Sequence, residues 1–240
     1  MIVEVCANSM ESALNAQLAG AQRIELCSEL TSGGITPSYG LIKKVIEAMS
    51  IPVHVLIRPR SGDFYYSEME FQTMLEDISV CESLGADGIV SGVLTPDLQV
   101  DWDRTKALKE ALGSCSFTFH RAFDLVEDPL ETFVKLQEMG VDTLLTSGQA
   151  RSAMEGLYLL KQLKEKSSTC TIMPGAGIRD TNAMHFVKAG FKAIHLSATK
   201  RISNTAVLPR IPMNAAIGLG ENEVLVTDPD ILRKVIESVN

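Results

Sequence analysis

Short apolar runs alternate with amphipathic stretches along this chain, and four of the runs open on one phrase. The phrase is Gly, a small or apolar residue, two variable residues, then Ile or Leu. It occurs as Gly20-Ala21-Gln22-Arg23-Ile24, Gly85-Ala86-Asp87-Gly88-Ile89, Gly140-Val141-Asp142-Thr143-Leu144 and Gly190-Phe191-Lys192-Ala193-Ile194. Each follows a stretch of helical period, so each glycine reads as the left-handed residue that ends a helix before a strand. The phrases lie 65, 55 and 50 residues apart, about twice one βα unit. Between them fall strand candidates Val53–Arg58, Ser116–His120 and Thr171–Gly175, with Ile2–Cys6 ahead of the first. A last helix is expected near Asp228–Val239. Eight strands separated by helices predict an α/β chain folded as a single (β/α)8 TIM-type barrel over residues 1–240, a length near the usual ~250. The alternative, an open doubly wound sheet, lacks a Gly-x-Gly-x-x-Gly after the first strand. Residues 198–224 fit neither period and are expected to form an irregular loop over one face or an oligomer contact.

Strand residues two apart share a face. Val3/Val5, Ile24/Leu26, Val53/Val55/Ile57, Phe117/Phe119 and Ile194/Leu196 are expected to face the helices. The alternate positions then point into the barrel. At the C-terminal rim these are Cys6, Cys27, Arg58, Gly92, His120, Ser147, Gly175 and Ser197. One layer lower come Glu4, Glu25, Leu56, Val90, Thr118, Leu145, Met173 and His195. Barrel interiors are ordinarily filled with branched apolar side chains. Two inward carboxylates beside an imidazole ask for a partner: an arginine, the imidazole or a ligand.

Composition narrows the class. The formal net charge is −8, the pI about 5.1 and the mean hydropathy +0.12, with 45% hydrophobic residues. No basic cluster exceeds a dipeptide such as Lys43-Lys44, which argues against nucleic acid or an anionic membrane as partner. No apolar run approaches the ~18 residues of a membrane span, and no signal-like segment precedes the first strand. Five cysteines, widely spaced and without a Cys-x-x-Cys pair, read as reduced thiols of a cytoplasmic protein.

Four constellations carry candidate chemistry. Glu4-Val5-Cys6 and Glu25-Leu26-Cys27 repeat a carboxylate and a thiol on one face of strands about 4.8 Å apart. Two such thiols suit a soft metal such as Cu(I) or Zn, a disulfide, or inert packing. Cys115 and Cys170 precede their strands and belong to the opposite end, and Cys81 lies on a helix. Arg58-Pro59-Arg60 holds two cations on an extended turn, suited to anion recognition or to neutralising Glu25 or Glu4. His120, close to Arg121 and Asp124, ends the fifth strand, where barrel enzymes place catalytic groups. Gly175 and Gly177, with Ser197, follow strands seven and eight, where backbone N–H groups often bind phosphate, although glycine also simply makes tight turns.

These phrases together have a familiar wording. Glu-Val-Cys-Ala-Asn-Ser-Met-Glu-Ser-Ala, Arg-Ile-Glu-Leu-Cys-Ser, Gly-Gly-Ile-Thr-Pro-Ser, Ile-Arg-Pro-Arg-Ser-Gly-Asp-Phe-Tyr-Tyr-Ser, Thr-Phe-His-Arg-Ala-Phe-Asp, Leu-Thr-Ser-Gly and Met-Pro-Gly-Ala-Gly-Ile resemble the CutC family of copper homeostasis proteins, in order from about residue 2 to 200. Ser61 stands where members often carry a second glycine. The resemblance implies one barrel domain, a cytoplasmic homodimer or homotetramer, and a Cu(I) site on Cys6 and Cys27. A copper carrier has no need of an arginine, a histidine, two inward glutamates and a glycine cradle at the same rim. The alternative expectation is therefore a TIM-barrel enzyme for a small anionic metabolite, such as a phosphorylated one. His120, Glu4, Glu25 and Asp124 would then be its catalytic groups, and Arg58, Arg60, Gly175, Gly177 and Ser197 its anion-binding groups.

Overall fold

The computed structural model describes residues 1–208, 210–211 and 219–239. Eight parallel strands alternate with helices: β1 (Ile2–Ala7), α1 (Met10–Ala19), β2 (Arg23–Leu26), α2 (Tyr39–Ala48), β3 (Val53–Leu56), α3 (Glu68–Ser83), β4 (Gly88–Ser91) and α4 (Trp102–Glu110). There follow β5 (Ser116–Phe119), α5 (Pro129–Glu138), β6 (Thr143–Thr146), α6 (Leu157–Lys166), β7 (Thr171–Pro174), α7 (Asp180–Lys188) and β8 (Ala193–Leu196). The strands pair in sequence order from β1 to β7, β8 pairs with β1, and β7 lies beside β8 to complete the ring. This is the (β/α)8 TIM barrel.

The recurring phrase has two mechanical parts. Its glycine ends a helix: Gly20 takes φ +98° and donates to the carbonyls of Ala16 and Gln17, a backbone state that costs other residues about 1–2 kcal/mol. Two residues on, a side chain pins the preceding strand. Gln22 Oε1 accepts the Val3 N–H, Asp87 Oδ2 the Val53 N–H and Asp142 Oδ2 the Phe117 N–H, each at 2.8 Å. In these three copies the phrase sets the stagger of β1 on β2, β3 on β4 and β5 on β6; in the fourth, Lys192 takes the Ile2 N–H with its backbone carbonyl instead.

Outward-facing Val3, Val5, Ile24, Leu26, Phe117 and Phe119 join one continuous apolar layer beneath the helices. Inside the ring, two small apolar groups form among the described residues, Cys6-Cys27-Leu56-Val90 and Leu145-Met173-Ala193.

Within the stretch 198–224, expected to be irregular, β9 (Thr199–Ser203) pairs antiparallel with β10 (Glu223–Thr227). Pro209 and residues 212–218 of that expectation lie outside the described residues. The hairpin escapes the periodicity because Thr199-Lys200-Arg201-Ile202-Ser203 buries neither face. Three bonds tie β10 to the start of the barrel: Asn8 Nδ2 and Asn15 Nδ2 donate to the carbonyls of Leu225 and Thr227, and the Thr227 N–H donates to Ser12 Oγ. Helix α8 (Pro229–Val239) then packs between α7 and α1 as the eighth outer helix.

Candidate functional site

The polar inward residues of β8, β1 and β2 form one buried cluster. Cys6 and Cys27 approach to 3.4 Å between sulfurs, both as free thiols. His195 Nδ1 bonds Glu4 Oε1 at 2.7 Å, and its Nε2 stands 3.6 Å from Glu25 Oε2. Arg23 Nε holds the other Glu4 oxygen at 2.5 Å, while its Nη2 reaches the Met173 sulfur. The heights within the barrel differ from the expected layers. Glu25 is level with Cys6, and Glu4 with Arg23 and His195, because parallel barrel strands are staggered along the axis.

Each charge in the cluster answers another. Burial alone would raise the Glu4 carboxyl, but the His195 bond and the Arg23 charge bring it down to about 2. Burial raises the Glu25 carboxyl, with His195 opposing. His195 is lifted above its ordinary value: burial opposes its protonation, and the carboxylates of Glu25 and Glu4 outweigh it. The neighbouring Cys27, burial and Glu25 hold the Cys6 thiol well above the usual range. The result is a thiol pair beside a Glu4–His195 pair in which each partner favours the other's charged form, with burial pushing Glu25 toward its neutral form.

Above this floor opens a cavity of about 810 Å³. Cys6, Glu25 and His195 line its base, and Arg58, His120, Arg121, Arg179, Gly177 and Ser197 its walls. Arg58 is 5% exposed, and its Nη atoms donate to the carbonyls of Ser32, Gly34 and Gly62 while its guanidinium covers Phe64. It forms no ion pair with Glu4 or Glu25 among the described residues; it ties the loop after β2 to the loop after β3. Arg60 lies outside the cavity, paired with Glu70 at 2.6 Å and Asp63 at 3.0 Å. Asp124 accepts from Thr146 Oγ1, Ser147 N and Oγ, Gln149 N and Arg121 Nε, which fills both of its oxygens. Its geometry suits positioning the loops after β5 and β6. His120 packs on Phe64, and its buried Nε2 has no partner among the described residues. Gly175 is enclosed, since a Cβ there would meet Leu145 at 2.6 Å. Gly177 and its neighbour Ala176 both take positive φ at the cavity wall, +71° and +79°.

Residues 1–200 match the model of the CutC family. The chain belongs to the CutC family. The family protein CutC of Enterobacter sp. (strain 638) is 47% identical over 199 residues, 83% of this chain and 81% of that protein. The Salmonella typhimurium protein of the same name is 47% identical over 197 residues, covering 82% and 79%. Among solved structures, a candidate copper homeostasis protein, CutC, from Streptococcus agalactiae superposes with a TM-score of 0.78 at 31% identity, covering 82% of this chain and 98% of that one. Thiamine phosphate pyrophosphorylase from Pyrococcus furiosus shares the barrel at TM-score 0.62 and 15% identity, covering 99% and 95%. Cys6, Glu25, His195 and the cavity walls up to Thr199 all fall inside the CutC match, whereas β10 and α8 lie beyond it.

Three residues escaped the sequence reading. Arg23 and His54 continue the inward alternation of Glu25 and of Leu56 one step lower, and the same period would have found them. Arg179 stands before α7 in a loop, where no periodic signal exists.

Proposed function

We propose that this protein serves copper homeostasis by carrying one Cu(I) ion as cargo between Cys6 and Cys27, in the cytoplasm, where free thiols persist. The observation that carries the reading is the pair of free sulfurs 3.4 Å apart, one of them at the base of an open cavity. Soft thiolates favour Cu(I) over hard cations. The ion enters through the cavity, and each thiol releases its proton as it binds. Equilibrium dialysis of the reduced protein against buffered Cu(I) is expected to give one ion per chain. Cys6→Ser and Cys27→Ser should each abolish that stoichiometry, because a hydroxyl is a poor ligand for a soft ion. An unchanged stoichiometry in Cys6→Ser removes the pair from the copper site.

A second reading rests on the volume of the cavity, about 810 Å³, and on the three arginines in its walls. A single ion needs neither. An enzyme for a small anionic metabolite would use Arg121, Arg179 and the Ala176–Gly177 backbone to hold the anion. His120, a neutral imidazole, would offer a hydrogen bond from its Nε2–H, and Glu25 would act as acid or base. A thermal-shift series with inorganic phosphate and sugar phosphates tests this. Stabilisation lost in Arg179→Ala supports it, and no stabilisation by any anion removes it.

A further inference from the structure

The cavity floor offers more ligand atoms than a two-thiol carrier uses. Cys6, Glu25 and His195 each place a donor atom within 4.8 Å of the other two, and Cys27 adds a sulfur 3.4 Å from that of Cys6. All four residues stand on or just beyond three adjacent strands, β8, β1 and β2, so the ladder itself fixes their spacing.

That spacing can be compared with coordination geometry. Zn–S bonds of about 2.3 Å and Zn–N or Zn–O bonds of about 2.0–2.2 Å put neighbouring donors of a tetrahedral ion roughly 3.3–3.8 Å apart. The His195 Nε2–Glu25 Oε2 pair at 3.6 Å fits that range, and the sulfur pair at 3.4 Å is a few tenths of an ångström short of the ~3.8 Å between two thiolates on one ion. A linear two-thiolate ion would need its sulfurs about two bond lengths apart, roughly 4.6 Å. The thiols are therefore closer together than a linear pair, and Cys27 joins the Cys6–Glu25–His195 set through Cys6.

The groups behind His195 point the same way. Its Nδ1 is engaged by Glu4, and Glu4 by Arg23, which leaves Nε2 facing Glu25 and Cys6. A metal-ligating histidine almost always has its other nitrogen bound to a carboxylate or carbonyl, which fixes tautomer and ring angle. Neither Glu4 nor Arg23 has any such task in a site made of thiols alone. Cys6, Glu25 and His195 also line the cavity, which supplies an entry path.

We propose that the floor binds one divalent borderline metal ion, of zinc-like chemistry, through Cys6, Cys27, Glu25 and His195, with Glu4 as a positioning residue for His195. Two of the four ligands are those of the copper reading; His195 and Glu25 belong to this one alone. Such an ion at the base of a cavity supplies a Lewis acid to whatever occupies it.

Cobalt(II) titrated into the reduced full-length protein is the test, since four-coordinate cobalt gives intense visible bands and thiolate-to-metal charge transfer. One Co²⁺ per chain is expected, displaced by one equivalent of Zn²⁺. His195→Gln and Glu25→Gln should each weaken Co²⁺ by about 100-fold or more while the Cu(I) stoichiometry stays at one, and Glu4→Gln should weaken it by about 10–100-fold. Circular dichroism confirms that each variant is folded, and Glu25→Gln carries the test if His195→Gln is not. Co²⁺ and Zn²⁺ binding no tighter than in the Cys6→Ser/Cys27→Ser double variant overturns the proposal. So does a Co²⁺ spectrum that neither His195→Gln nor Glu25→Gln alters. Cu(I) bound without Co²⁺ leaves the copper reading standing alone, and Co²⁺ bound without Cu(I) leaves this one.

Discussion

His120 is held as a neutral imidazole at the end of β5. Burial first, and the Arg58 charge second, push its pKa down to about 3, and its Nδ1 accepts the Ala122 N–H at 3.3 Å. An unfolded histidine titrates near pH 6.5, so unfolding takes up a proton in the window between about 6.5 and 3. A depressed folded-state pKa contributes stability above that window and loses it as pH falls, by up to about 1.4 kcal/mol per pH unit. The urea midpoint should therefore drop on acidification below pH 6.5, and His120→Gln should flatten that slope by its share. Equal slopes in the two proteins would show that His120 titrates alike in both states. His120 was legible as an inward residue because alternation along a strand fixes its face. So were Cys6, Glu25 and His195. Height was not legible: periodicity says nothing about stagger between strands, so Glu25 proved level with Cys6 rather than with Glu4. The partners of Arg58 were not legible either, because three backbone carbonyls on two loops leave no trace in composition.

At the scale of elements, the recurring glycine phrase made the barrel readable, and its polar third residue explains why it works. Asp142 takes the Phe117 N–H, second in β5, and Asp87 the Val53 N–H that opens β3, both at 2.8 Å. A strand amide left without its acceptor costs about 1–3 kcal/mol. Asp142→Ala and Asp87→Ala should each lower the stability measured by urea unfolding by about that much, while Asp142→Asn, which keeps an acceptor, should stay near wild type. The two pins act on different strand pairs, so the double variant should sum the single effects to within about 0.5 kcal/mol. Unshifted midpoints would mean that water replaces the carboxylates without loss. The hairpin of β9 and β10 was illegible for the opposite reason: exposed on both faces along β9, it carries no apolar alternation to read.

For the whole molecule, the question is whether β10 and α8 belong to the cooperative unit of the barrel or are merely appended to it. Leu232, Val235, Ile236 and Val239 of α8 are buried against α7 and α1, and Ile231 and Val235 reach the cavity. The Lys200–Asp228 pair at 2.7 Å joins β9 to the start of α8, and the Ser12–Thr227 bond joins β10 to α1. With eight helices in order around the barrel, α8 stands opposite α4, which carries Trp102, the single tryptophan. Leu232 is fully buried, and a Leu→Ala change at such a site costs about 2–5 kcal/mol. If the ring closes through α8, the loss is transmitted across it. Leu232→Ala should then lower the urea midpoint seen by Trp102 fluorescence as far as that seen by far-UV circular dichroism, with the slope m unchanged. Were α8 an appendage, the circular dichroism signal would split and the tryptophan transition would stay at its wild-type midpoint. The contacts favour transmission, because α8 fills the gap between α7 and α1 that would otherwise expose the apolar flank of both the first and the last βα units.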